Sequence, residues 1–303
     1  MNSIYKILFR GEDLEKYIKF RTVTHDNCIA CGSNEYVNWA ISGSYKAVKC
    51  SSCGLIWMHQ ILNEEGLKVY YSDYIGRRRL NNELKMKQRE IQYEIDAAFI
   101  ERYIKSGKVL DVGCSGGFFL SSLDNKFSKH GVEIDSDAVA FAKKSQKEFG
   151  SNITCGVLND LSYKNSTFDL ITMRGAIEHV SDPVNSIEKV SNLLNKGGYY
   201  YITATPNGDS YSAGLYREQW TLFHPVQHIW HFSPKTLSSI CEKFNLKLIA
   251  TEYPYLGTPY EDVKENIKSV EAAIRQKEND PDKELPISPP FWENMMSLVF
   301  VKV

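Results

Sequence analysis

Residues 108–120 read Lys-Val-Leu-Asp-Val-Gly-Cys-Ser-Gly-Gly-Phe-Phe-Leu, an apolar strand that runs into an aspartate, a glycine-rich turn and then an apolar helix. Glycines at 113, 116 and 117 let the backbone turn tightly and approach a ligand at the carboxyl end of a parallel strand. A dinucleotide fingerprint would require Gly-x-Gly-x-x-Gly from position 113, but Ser115 and Phe118 occupy its second and third glycine positions. The carboxylate of Asp111 would also repel a pyrophosphate. It suits instead a cofactor that carries an ammonium and a sulfonium, S-adenosylmethionine (SAM).

The following strand ends in Gly131-Val-Glu-Ile-Asp135, so Glu133 stands twenty residues beyond Gly113, where a carboxylate accepts the hydroxyls of an adenosine ribose. Either signal alone occurs in many sheets. In this order and at this spacing they describe one site.

Cysteine spacing fixes a second feature. Cys28-Ile-Ala-Cys31-Gly and Cys50-Ser-Ser-Cys53-Gly are two Cys-x-x-Cys turns separated by 18 residues of strand-like sequence, the spacing of a four-cysteine zinc ribbon. Each turn presents two thiolates on one side, and two turns complete a tetrahedron with every position filled, so the zinc is structural. His25 and His59 flank these turns and read as surface residues. Cys114, Cys155 and Cys241 lie in apolar segments and read as small buried hydrophobes.

With 36 basic and 37 acidic residues the net charge is −1, which gives no global electrostatic reason to expect a nucleic-acid or membrane partner. No stretch approaches 18 apolar residues and the N-terminal apolar run is short, so a cytoplasmic protein is expected. From Leu62 to Ser106 the pattern is helical, with Leu80, Leu84, Ile91, Ile95, Ala98 and Phe99 on one stripe. Arg77 to Arg79 read as a solvated basic turn, and Tyr70, Tyr71 and Tyr74 as packing or as a cover for the cofactor. After Gly107 short apolar runs alternate with helical segments, which predicts a doubly wound α/β fold. Strands are expected near 108–112, 130–134, 152–155, 168–173 and 199–204, then 246–253 and a terminal apolar strand from Met296 to Val303.

Four ordered motifs, Asp111 to Gly117, Gly131 to Asp135, Phe168 to Val180 and Leu194 to Gly198, together resemble the class I SAM-dependent methyltransferases. The resemblance covers roughly residues 105–253. Cys28 to Tyr74 looks like the zinc-ribbon module that precedes this domain in enzymes of sugar, glycan and other small-molecule biosynthesis. The fold implied is a Rossmann-like seven-stranded sheet whose last strand is antiparallel and lies between the fifth and sixth. The division implied is 1–60 for leader and ribbon, 61–105 for a helical connector and 106–303 for the methyltransferase domain. Carried over by position, Asp111, Gly113, Cys114 and Gly117 surround the methionine portion, Glu133 the ribose, Ile134 and Leu158 the adenine, and Arg174 the floor near the sulfonium. Ser115 departs from the family's second turn glycine, and Val157 from the aspartate that often reaches adenine.

His179, just past the fourth strand, and His228 are the candidates for a general base towards an acceptor hydroxyl, titrating near the ordinary histidine value of ~6.5. His224, His228 and His231 sit among Trp220, Trp230 and Phe232, a segment that reads as packing, as a substrate wall or as a metal site. The function expected is methyl transfer to a hydroxyl of a sugar or nucleotide-linked metabolite. An RNA methyltransferase with a zinc module and a non-catalytic SAM-binding regulator are the competing readings.

Overall fold

The computed structural model of the chain describes residues 14–70 and 83–303. The basic turn Arg77 to Arg79, Tyr71, Tyr74 and Leu80 lie outside the described residues, as does the side chain of Leu84. In chain order the strands are β1 (Val23–Thr24), β2 (Tyr36–Ser42), β3 (Tyr45–Cys50), β4 (Ile56–Met58), β5 (Gln60–Ile61), β6 (Gly107–Val112), β7 (Phe127–Glu133), β8 (Ile153–Cys155), β9 (Phe168–Arg174), β10 (Leu194–Pro206), β11 (Trp230–His231), β12 (Leu246–Glu252) and β13 (Met295–Lys302). The helices are α1 (Glu83–Ile100), α2 (Phe118–Ser122), α3 (Ser136–Ser145), α4 (Pro183–Leu193), α5 (Tyr211–Tyr216), α6 (Pro234–Cys241) and α7 (Val263–Asn279).

These elements form two compact units, each assembled from separated stretches of chain. Among the described residues the first holds 14–70 with 206–236 and 253–295; the second holds 83–205, 237–252 and 296–303. Residues 206–236 and 253–295, placed by sequence within a 106–303 domain, therefore cluster with the cysteine turns, and α1, placed in a connector, belongs to the second unit.

The second unit is built on a seven-stranded sheet of order β12-β13-β10-β9-β6-β7-β8. Strands β6 to β10 pair parallel with one another, and β13 pairs antiparallel with β12 from Leu246 opposite Lys302 to Glu252 opposite Ser297. The last strand thus lies between the fifth and sixth, as the sequence motifs imply. Val109, Leu110, Leu170, Ile171 and Ile202 are buried, because helices cover both faces of such a sheet and its strands become continuously apolar. One apolar cluster joins Ala97, Phe99 and Ile100 of α1 to Val109, Phe119, Leu120 and Tyr201.

Helix α1 is rotated relative to the stripe expected from sequence. Ile91 is 46% exposed and Ala98 is exposed, whereas Gln92 and Asp96 are buried. The reason is polar: Asp96 pairs with Arg174 of β9, and that ion pair fixes which face of the helix turns inward.

In the first unit β2, β3, β4 and β11 form one antiparallel sheet, in the order β11-β4-β3-β2. Trp57, Trp230, Tyr45 and Phe232 are fully buried in this unit. No helix among the described residues is long and apolar enough to cross a membrane.

Candidate functional site

The glycine turn leaves β6 at its carboxyl end. Gly113 and Cys114 both donate backbone N–H to the Val132 carbonyl, at 2.8 and 3.2 Å, which ties the turn to β7. Gly113 has φ +78°, and a Cβ there would come within 3.2 Å of Ala176 Cβ, so glycine is required on both counts. Ser115 also adopts a left-handed φ, +51°. The backbone has kept the conformation of the glycine it replaces, at a steric cost of about 1–2 kcal/mol.

Asp111 is 2% exposed, and Thr172 Oγ1 donates to its Oδ1 at 2.7 Å. Burial pushes this carboxyl up to about 7, helped by the neighbouring charge of Glu133 and opposed by Thr172 and Arg174. Glu133 is also buried, and its two oxygens accept backbone N–H groups, Ser115 at 2.8 Å and Asp135 at 3.0 Å. It therefore braces the turn, while each oxygen keeps a further lone pair. Past the end of β7, Ile134 presents an apolar side chain that is 54% exposed, and Leu158 is buried. Cys114 is buried, packed so close to β7 that a Cβ on Gly131 would meet its sulfur at 2.6 Å, and burial raises its thiol far above the ordinary value. It is an inert packing group.

Arg174 ends β9. Its Nε donates to Asp96 Oδ2 at 2.8 Å and its guanidinium lies 4.4 Å from the centre of the Tyr93 ring. Asp96 Oδ1 accepts from Gln92 Nε2 at 3.2 Å and Thr203 Oγ1 at 3.1 Å. Sequence reasoning missed Asp96. The signal available was the polar pair Gln92 and Asp96, one helical turn apart and leading into the apolar run Ala97 to Ile100.

Glu178 is 1% exposed and accepts from Thr205 Oγ1 at 3.1 Å; burial raises its carboxyl to about 8. His179 is more open, with its Nε2 3.8 Å from Glu178 Oε1. In the other unit His228 is buried, and its Nδ1 donates to the Leu222 carbonyl at 2.7 Å, which makes Nε2 the basic nitrogen. Burial lowers its pKa to about 4, against the expected ~6.5, because the imidazolium would lose its hydration. His231 has both ring nitrogens buried without a hydrogen-bond partner among the described residues and packs against Trp39, Trp220 and Phe223 at 5.6 to 5.8 Å between ring centres. Among the described residues His224, His228 and His231 do not form a convergent set of metal ligands.

The four cysteines do converge, with all four sulfurs within 4.8 Å of one another. Cys28 and Cys53 Sγ are 3.4 Å apart, Cys31 and Cys50 Sγ 3.6 Å, and none is in a disulfide. A tetrahedron of bonds of about 2.3 Å would set sulfurs about 3.8 Å apart, so the cluster has the dimensions of a zinc site. Both turns use one hydrogen-bond pattern: Gly32 N–H to Cys28 O and Cys28 N–H to Ser33 O in the first, Gly54 N–H to Cys50 O and Cys50 N–H to Leu55 O in the second. At Cys50 burial works upward, but the N–H groups of Cys53 and Ser52 and the adjacent thiols outweigh it, down to about 7. His59 is not a ligand; it meets Tyr36 OH at 3.1 Å and Asp26 Oδ1 at 3.2 Å. His25 is only half-buried, with its ring against Trp230.

A family profile described as a methyltransferase domain matches residues 84–251, more than half of the chain. The chain belongs to this methyltransferase family. The matched span begins in α1, in agreement with that helix clustering with the sheet. A ubiquinone biosynthesis O-methyltransferase of Coxiella burnetii is 31% identical over 137 residues, which are 42% of this chain and 57% of that protein. One from Chromobacterium violaceum is 29% identical over 131 residues, 41% of this chain and 56% of that protein. The chain thus spans little more than half the length of these relatives. Two solved structures share the fold. A chain of the Haloferax volcanii complex containing the Trm112 methyltransferase activator aligns with TM-score 0.53 and 15% identity, over 71% of this chain and 92% of that one. A candidate sarcosine dimethylglycine methyltransferase of Galdieria sulphuraria aligns with TM-score 0.50 and 15% identity, over 78% and 97%.

Proposed function

We propose that this protein transfers a methyl group from SAM to an oxygen of a small polar acceptor, a hydroxyl of a sugar or nucleotide-linked metabolite. The observation that carries the reading is the placement of Asp111, buried and held by Thr172, beside a glycine turn braced by Glu133. Two carboxylates at the mouth of a parallel sheet suit a cationic nucleoside and oppose a pyrophosphate. The names of the Coxiella and Chromobacterium relatives support oxygen as the acceptor atom.

SAM would supply an electrophilic methyl group, with a neutral thioether as its leaving group. Asp111 meets the ammonium, Glu133 the ribose hydroxyls, and Ile134 with Leu158 the adenine. Gly113 and Gly117 let the backbone approach, with Cys114 packed beneath. His179 takes the acceptor proton, with His228 as the other candidate; alignment contributes the rest. Cys28, Cys31, Cys50 and Cys53 hold one structural zinc ion.

Calorimetry with SAM and with NAD tests the cofactor, and incubation with SAM and fractionated hydroxylated metabolites, read by mass spectrometry, tests the chemistry. SAM binding and a product heavier by one methylene are expected. Tight NAD binding, or no SAM binding, would overturn the reading.

A further inference from the structure

The guanidinium of Arg174 is held from behind and open in front. Its Nε is bound by Asp96, its central carbon lies 4.4 Å from the centre of the Tyr93 ring, and 17% of its side chain remains accessible. Its two Nη nitrogens carry no hydrogen bond to another described residue. The side chain is half-buried, so these four N–H donors are left to solvent or to a ligand.

The sheet places these donors beside Asp111. Asp111 of β6 lies opposite Thr172 of β9, and Arg174, two residues further along β9, projects from the same face. Arg174 in turn lies opposite Thr203 of β10, whose hydroxyl reaches Asp96. One face of three adjacent strands therefore carries a carboxylate, an open guanidinium and the polar clamp that fixes it.

A free amino-acid group is the ligand that needs such neighbours. Its ammonium and carboxylate share one carbon, so the partners of both have to stand side by side. An ammonium at Asp111 leaves the carboxylate within reach of a cation on the next position of that face. A guanidinium under the sulfonium would instead oppose a like charge.

We propose that Asp96 is a positioning residue that presents the Nη edge of Arg174 to the α-carboxylate of SAM. The assignment rests on SAM as the cofactor and adds which charged end of it selects this site. Arg174 is the group in contact; Asp96 acts through it. With Nε occupied, the guanidinium presents a two-donor edge matched to a carboxylate.

The test compares SAM with decarboxylated SAM by calorimetry on the whole 303-residue chain, in wild type, Asp96→Asn and Arg174→Gln. Wild type should prefer SAM by roughly ten- to a hundredfold, the range for hydrogen bonds between charged partners. Both variants should lose most of that preference while holding the decarboxylated compound within about threefold of wild type. Equal affinity of wild type for the two compounds would overturn the carboxylate assignment and leave the cofactor reading intact. Loss of affinity for both compounds in equal measure would show a structural role for the pair and also overturn it. Failure of wild type to bind SAM at all would remove the proposal together with the reading beneath it.

Discussion

Trp230 stands opposite Trp57 in an antiparallel pair, so a strand from far along the chain forms the edge of the sheet that carries the cysteines. Both indoles are fully buried, and Met58 N–H is closed by the Ile229 carbonyl at 2.9 Å. Trp230→Ala should therefore destabilise this unit by about 3–5 kcal/mol, the cost of emptying a large core site. Urea denaturation checks it. A fragment of residues 14–70 should show no cooperative transition.

Purified without chelator, the protein should contain about one equivalent of zinc by elemental analysis. Cys50→Ser should bring this below about half an equivalent, because Cys50 is the thiol whose surroundings most favour the thiolate. A full equivalent retained by that variant would contradict the four-cysteine assignment.

SAM affinity should rise with pH up to about 7 and then level off. Asp111 is raised to about 7 in the cofactor-free protein, and a cation binds its ionised form, so affinity falls about tenfold per unit below that value. For stability the sign is opposite. A folded pKa above the ordinary ~3.9 means that this group's contribution is full below that value and is lost as pH rises through about 7. Calorimetry in two buffers of different ionisation enthalpy should show proton release on binding, absent in Asp111→Asn.

Replacing the general base by alanine should slow turnover by about 10²–10⁴-fold. The pH profile separates the two histidines. A base has to be deprotonated, and burial holds His228 at about 4, so catalysis through it is flat from pH 5 to 8. A rate that climbs within that window, together with a nearly unaffected His228→Ala variant, would assign the proton to His179.

Ser115→Gly should leave stability unchanged or raise it by up to about 1 kcal/mol, because glycine relieves the left-handed strain but gives up unfolded-state entropy in return. Gly113→Ala should do the reverse, costing about 1–2 kcal/mol and weakening SAM. Thermal melts of both variants test the turn independently of any activity.

The glycine turn, the two Cys-x-x-Cys turns and the succession of strands β6 to β10 along the chain were legible because each depends on residues close together in the chain. The antiparallel last strand was legible through the family resemblance and not through periodicity. What stayed hidden was set by distant partners. The phase of α1 depends on Arg174, a partner 78 residues further along the chain. The allocation of residues 206–236 to the cysteine-bearing unit depends on Trp230 finding Trp57. His228 reads as an ordinary histidine until its burial is known, and burial is a property of the assembled unit.

The segments of the two units alternate along the chain, and this bears on how the protein is made. Strand β13 fits between β12 and β10, so the sheet cannot close until residues 295–302 have left the ribosome. The cysteine-bearing unit likewise waits for the segment that begins at Tyr253. Neither unit can finish before the residues beyond Tyr253 are made, and neither corresponds to one uninterrupted gene segment that recombination could graft onto another enzyme.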